Sequence, residues 1–360
     1  MLTNILKHLK FLIQQDTQNP PRKITGKDEL YIQLTTLFES NHFKVTVNDL
    51  GDGHVTFYAI KGAPSLLFNV HLDTVPVTKG WKNDPFDLTV TADKAYGRGS
   101  CDIKGAAACL MAIAESNPNH LAVLFTSDEE GASGCCVQNF IDNNNLTQFK
   151  QIIVAEPTNS KAVLSHRGYL SARSTFYGIG GHSSMAVGLK NNAIHKSAKW
   201  LSKALEYAES KTNELNPAGI CFNIGTIEGG EKNNMIAETS KIAFSARVPP
   251  GSSTETTFKE LKNLDDSKES KWTASMMAPA LPASIENRSM AESFCNRNAI
   301  STTESVDFWT EASLFSQAGI PAVVLGPGDI KQAHTVDEWV YLSQLEDIYK
   351  IYTGVIENEN

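Results

Sequence analysis

At the end of one apolar run stand a histidine that could ligate a metal ion and a carboxylate that could orient it. Leu66-Leu67-Phe68-Asn69-Val70-His71-Leu72-Asp73 is short, continuous and bounded by Pro64 and Pro76, the pattern of a buried strand. Residues two apart on a strand share a face, so His71 and Asp73 lie side by side. A carboxylate beside an imidazole selects its tautomer and raises its basicity, as a metal-ligating histidine requires. The same pair also suits a histidine that is merely satisfied at a strand end. More acids follow at comparable places. The apolar run 121–126 leads into Ser127-Asp128-Glu129-Glu130, and the run 151–155 ends in Glu156-Pro157-Thr158. Consecutive acids repel one another. A solvated loop tolerates that, whereas a bound cation would turn the repulsion into a purpose. Asp102 stands where Tyr96-Gly97-Arg98-Gly99-Ser100-Cys101 hands over to an Ala-rich helical stretch at 104–114. The Gly-Arg-Gly there lacks the remaining glycines of a dinucleotide fingerprint.

The elements that must position these residues read as an α/β fold. Strands alternate with helices through the first part of the chain, which calls for a central mixed, partly parallel sheet flanked by helices. In such sheets the ligand crevice lies at the carboxyl ends of the strands, where His71, Glu129, Glu130 and Glu156 all fall. Near Arg167-Gly168 the pattern changes. A strand at 169–177, a glycine-rich turn around His182, a helix at 191–207, strands at 220–228 and 236–248, a helix at 252–264 and a last strand within 271–283 make a β-α-β-β-α-β-like insert. The expected organisation is therefore a metal-binding domain of residues 1–167 and 284–360, and an inserted α+β domain of residues 168–283. The returning segment should carry helices at 285–298 and 310–318, a buried strand at 320–325, a turn at Gly326-Pro327-Gly328-Asp329 leading to His334, and a closing helix.

Composition narrows the function classes. A formal net charge of −8 over 360 residues, with no basic tract, argues against nucleic acid as a partner. Lys7 and Lys10 interrupt the N-terminal apolar residues, which suits an amphipathic helix rather than a signal peptide, and no run is long enough to span a bilayer. These features point to a cytoplasmic protein. The six cysteines form no Cys-x-x-Cys pair and read as reduced, small hydrophobes. His8, His42, His54, His120 and His195 sit in polar surroundings and read as surface residues.

His71, Asp102, Glu129, Glu130, Glu156 and His334 thus make a set of two imidazoles and four carboxylates. A co-catalytic pair of divalent ions needs roughly five ligands, one of them shared, and a further base that stays unbound. Nitrogen and oxygen donors without thiolate suit zinc, with cobalt or manganese as substitutes. With these residues in view, the chain resembles the acetylornithine deacetylase and succinyl-diaminopimelate desuccinylase family, relatives of aminoacylase and the glutamate carboxypeptidases. The resemblance rests on His71-Leu72-Asp73, Gly97 to Gly105, Ser127 to Glu130, Ala155 to Thr158, Gly181-His182-Ser183-Ser184 and Gln332-Ala333-His334, in that order along essentially the whole chain. Asp307 to Ala312 and Gly326 to Ile330 are similar to the acetylornithine branch and to its acetylcitrulline-specific members.

The resemblance implies roles residue by residue. His71, Asp102 and Glu156 would hold one Zn2+, and Asp102, Glu130 and His334 the other, with Co2+ an alternative. Asp73 would orient His71, and Glu129 would be the general base; the spacing alone allows Glu129 and Glu130 to be exchanged. His182 would donate a hydrogen bond to the oxyanion, in its own subunit or across a homodimer formed by the insert, which would also act as a lid. Asn234 and Arg247 would grip the substrate's α-carboxylate; Arg247 also suits a surface ion pair. Glu311 would read the substrate side chain or cap a helix. A cis peptide is expected at Asp102-Ile103. The implied reaction is hydrolysis of the N-acetyl amide of a small amino acid, acetylornithine or acetylcitrulline, in arginine biosynthesis. A desuccinylase or dipeptidase on the same metals, and a noncatalytic binding protein of the same fold, are the alternatives.

Overall fold

A computed structural model describes residues 1–131, 135–212, 219–267 and 269–359. The chain divides into two units, one of residues 1–164, 284–305 and 310–360, the other of residues 165–283 and 306–309. In chain order, the first unit contributes strands β1 (Lys44–Asp49), β2 (Val55–Lys61), β3 (Leu66–His71), β4 (Thr89–Val90), β5 (Lys94–Tyr96), β6 (Leu121–Thr126) and β7 (Gln151–Val154). The second contributes β8 (Gly168–Tyr177), β9 (Gly181–His182), β10 (Cys221–Gly229), β11 (Met235–Ile236), β12 (Thr239–Val248) and β13 (Lys271–Ala278). The chain then returns to the first unit for β14 (Ala322–Val324) and β15 (Trp339–Tyr341).

The main sheet of the first unit runs β1-β2-β6-β3-β7-β14. β3 pairs in parallel with β6 and β7, and β7 with β14, while β1, β2 and β6 pair antiparallel. Every residue of β3, β6 and β7 is buried, as expected of strands covered on both faces. That is why these segments show unbroken apolar runs instead of alternation. The helix Lys104–Glu115 packs its alanines against the core with Leu110 and Ile113, and the N-terminal helix Leu2–Gln14 adds Ile5, Leu9, Leu12 and Ile13. Polar side chains are packed in as well. His8 is buried, with Nε2 3.1 Å from Glu115, and is not the surface residue its neighbours suggested. Its helix turns that face inward, and Glu115 supplies the partner.

The register carries the consequence. His71 at the end of β3 lies opposite Thr126 at the end of β6, and Asn69 opposite Val154 at the end of β7. The three segments following those strands therefore emerge at one edge of the sheet. The three-stranded sheet β15-β5-β4 was not foreseen. In it Trp339 pairs with Tyr96, which draws the segment after His334 onto the loop that carries Asp102.

The second unit is an antiparallel sheet, β10-β12-β8-β13, whose inward residues alternate along β8 and β12, the two-faced pattern of a half-covered sheet. Its buried face packs Phe176, Phe244 and Trp272 around Trp200 from the helix Ala193–Ser210. The Trp200 indole N–H donates to the Leu261 carbonyl at 2.8 Å. The helix starts are capped by Asn192 and Ser253, residue types whose side-chain oxygens accept the first free backbone N–H groups.

Candidate metal centre

The ends of β3, β6 and β7 deliver His71, Glu129 with Glu130, and Glu156. The loop after β5 delivers Asp102, and the turn before β15 delivers His334, all within the first unit. Their donor atoms form two groups that share Asp102. His71 Nε2 lies 3.1 Å from Asp102 Oδ1 and 3.6 Å from Glu156 Oε1. His334 Nε2 lies 3.1 Å from Asp102 Oδ2 and 3.0 Å from Glu130 Oε1. In each trio one donor atom per residue falls within 4.8 Å of the others. One carboxylate thus turns one oxygen to each imidazole. His334 adopts φ 61°, a left-handed conformation uncommon for a residue with a Cβ. The Asp102–Ile103 peptide is cis, and Asn19–Pro20, Pro20–Pro21 and Leu281–Pro282 are cis as well.

The electrostatics describe a cluster short of positive charge. Burial pushes Glu156 and Glu129 well above the ordinary carboxyl range, reinforced for Glu129 by the neighbouring Glu156 charge. Glu130 is raised by burial too, with the His334 hydrogen bond pulling the other way. Burial would also raise Asp102, but hydrogen bonds from His334 and His71 overcome it and hold that carboxyl low. The hydrogen bonds to Asp102 and Glu130 raise His334 to about 10. For His71, burial opposes protonation, and Glu156, Asp102 and Asp73 override it. The oxygens and nitrogens whose proton affinity is raised are the same ones that dications would satisfy. Glu156 Oε1 is buried without a hydrogen-bond partner, an acceptor that a bound cation would satisfy. The donor set, nitrogen and oxygen without sulfur, fits a pair of divalent ions.

Asp73 does more than stand beside His71. The His71 Nδ1–H donates to the Asp73 backbone carbonyl at 3.0 Å and lies 3.5 Å from the Asp73 carboxylate. The carboxylate itself accepts the backbone N–H groups of Glu129 at 3.3 Å and Glu130 at 3.0 Å, and the Asn19 amide at 2.8 Å. It thereby fixes the turn that aims both acids. Glu129 has no side-chain partner in either trio, while Glu130 has His334; this separates two neighbours that the spacing left interchangeable.

Glu311 sits inside the first unit. Its Oε2 accepts Asn69 Nδ2 at 2.6 Å and the Thr126 hydroxyl at 3.1 Å, joining the ends of β3 and β6. It makes no side-chain cap to the short helix Ala312–Gln317 that follows. These contacts give it a strand-joining place rather than one at an open surface, and burial raises it to about 8.

The remaining predicted residues belong to the second unit. His182 is exposed on β9, paired with Met235 of β11. Its Nδ1 accepts the Ser184 backbone N–H at 3.3 Å and lies 2.8 Å from the Ser184 hydroxyl. An accepting Nδ1 leaves the ring proton on Nε2. Asn234 is exposed, and its backbone carbonyl accepts the Ser183 N–H at 3.1 Å. Arg247 lies across the Tyr169 ring at 4.1 Å and has no carboxylate partner among the described residues. Asn19, Asn69 and Glu338 were missed by sequence reading. Asn19 precedes two prolines and Glu338 follows an Asp, and neither spacing marks a buried holder.

A six-stranded α/β sheet whose strand ends and neighbouring loops gather two imidazoles and three carboxylates into paired trios, with the Glu129 carboxylate outside them, defines a metal-dependent hydrolase. Residues 67–358 match the family model "Peptidase family M20/M25/M40", and the chain belongs to that family. It is 39% identical to N-acetyl-L-citrulline deacetylase of Xanthomonas campestris pv. campestris, covering 98% of this chain and 99% of that one. It is 30% identical to acetylornithine deacetylase of Proteus mirabilis, covering 82% and 80%. Among solved structures, the M20 family metallo-carboxypeptidase Sso-CP2 of Sulfolobus solfataricus superposes with TM-score 0.74 at 17% identity, covering 99% of each chain.

Proposed function

We propose that this hydrolase removes the acetyl group from an N-acetyl amino acid, with N-acetyl-L-citrulline the preferred substrate. The observation that carries the reaction class is the sharing of Asp102 between the two trios. The 39% identity over nearly the full length of an acetylcitrulline deacetylase supports the choice of substrate. Acetylornithine is the second reading, supported by relatives at 30% identity and below.

His71, Asp102 and Glu156 would hold one Zn2+ and Asp102, Glu130 and His334 the other, with Co2+ able to replace them. Bound dications supply an acidified water and stabilise negative charge on the acyl oxygen. Glu129 accepts the proton of the attacking water and returns it to the departing amine, which cannot leave as an anion. The raised affinity of Glu129 for a proton suits both halves of that transfer. His182, with its proton on Nε2, donates to the developing oxyanion. Arg247, stacked on Tyr169 without an acidic partner among the described residues, offers its guanidinium to the substrate carboxylate; Asn234, whose backbone bonds to Ser183 next to His182, is the second group for that carboxylate. Residues 168–283 act as the lid and the homodimer contact. The setting is arginine biosynthesis in the cytoplasm; among the described residues no helix is long and apolar enough to cross a membrane.

The deciding experiment is a panel of N-acetyl, N-succinyl and dipeptide substrates offered to zinc-loaded and cobalt-loaded protein. Highest kcat/KM on acetylcitrulline is expected. Preference for a succinyl amide or a dipeptide would overturn the substrate assignment, and no turnover of any amide would overturn the reaction.

A further inference from the structure

Glu338 stands immediately before β15, four residues after His334. The pairing of Trp339 with Tyr96 lays it against the loop 97–102. Its carboxylate is 1% exposed, yet every acceptor position on it is used. Oε1 accepts the backbone N–H groups of Cys101 and Asp102, each at 3.0 Å. Oε2 accepts the backbone N–H of Gly99 at 3.0 Å and Arg98 Nη1 at 2.8 Å. The Glu338 backbone carbonyl takes the Gly97 N–H at 3.0 Å. Arg98 is equally buried, its guanidinium 5.1 Å from the centre of the Trp81 ring. A carboxylate offers about four lone-pair sites, and here four donors converge on them. One of those donors is the backbone N–H of the residue whose side chain both trios share.

We propose that Glu338 is a positioning residue for the whole metal pair: it holds the Asp102 backbone so that one Asp102 oxygen faces each trio. The proposal rests on the two-metal reading above and deepens it. Glu338 touches no ligand side chain, so it acts through Asp102 alone. That gives it a signature that neither imidazole has. Loss of His71 or His334 strips one trio, whereas loss of the Glu338 clamp weakens both metal positions together.

The test is metal titration of Glu338→Gln, with Zn2+ competed against a chromophoric chelator and Co2+ followed by its visible spectrum. A glutamine has the same shape but turns an N–H donor toward two donors, so one side of the clamp is lost. Both equivalents should bind about 10- to 100-fold more weakly, the range typical when a group supporting a metal ligand is removed. Tyr352→Phe is the control for general destabilisation. It removes the buried hydrogen bond from Tyr352 to the Leu325 carbonyl, which involves none of the groups in the clamp, and should leave both metal affinities unchanged. If Glu338→Gln does not fold, Glu338→Asp, which keeps the charge on a shorter arm, should show the same joint weakening in smaller measure. Unchanged affinity in the folded variant, weakening of one equivalent only, or an equal loss in Tyr352→Phe would each overturn the proposal. Wild-type protein that takes up fewer than two equivalents would overturn the two-metal reading, and this proposal with it.

Discussion

The two trios that meet at Asp102 are made of unlike parts. His71 ends β3, and Glu156 lies two residues past β7; both are buried, and parallel backbone pairing sets their separation. His334 and Glu130 lie on turns, and the His334 side chain is 51% exposed. A strand end is held by the sheet's ladder of hydrogen bonds, so its side chain is placed by the core. A turn has no such ladder and needs dedicated holders. Asp73 is one, gripping the backbone of Glu129 and Glu130, and the Glu338 carboxylate on the Asp102 loop is another. The closed half of the centre is placed by strand ends, whereas the acid of the open half, Glu130, is aimed by the Asp73 side chain, and the Asp102 that both halves share is held by Glu338.

Removing the residue that the two halves share should have the largest effect. Asp102→Ala should abolish binding of both metals and reduce turnover to background, read by metal analysis after dialysis; retention of one equivalent would mean that Asp102 serves one trio only. Next comes the unligated acid. Glu129→Gln should keep both metals and lose turnover by at least about a hundredfold, the lower range for a missing proton-transfer group. Loss of a metal instead would mean that Glu129 and Glu130 exchange roles. His182→Ala should cost about a hundredfold or more in kcat, as removal of one oxyanion donor does; near-normal turnover would take His182 out of the mechanism.

Smaller effects sharpen the contrast between halves. A chelator should remove the metal on the His334 side first, and His334→Ala should retain one equivalent while His71→Ala loses the tighter one. Simultaneous release from the wild type would erase the distinction. Proton competition gives the mildest test. His71 and His334 are both raised, His334 to about 10, so protons compete with a metal for both imidazoles. Binding a dication expels those protons. Apparent affinity should therefore rise as pH rises from about 6 to about 9, and binding should release protons, measurable by calorimetry in buffers of different ionisation enthalpy. A flat profile would show that the imidazoles are not ligands.

Much of this was legible in the amino-acid order because burial and chemistry leave local marks. The apolar runs of β3, β6 and β7 announced strands covered on both faces, and the acids and histidine placed just past them announced a crevice. The break in pattern near Arg167-Gly168 announced a second body, since an antiparallel half-covered sheet alternates where a buried parallel one does not. What stayed hidden depended on partners remote in sequence. Glu338 meets its four donors some 240 positions upstream, and Glu311 meets Asn69 across 242. His8 is buried because Glu115 lies beside it in space, 107 residues on. A side chain's type records what it can bond to, but only the packed chain decides which partner arrives. The candidate ligands could thus be picked out from their kinds and places along the chain, whereas the side chains that hold them emerged only from the fold.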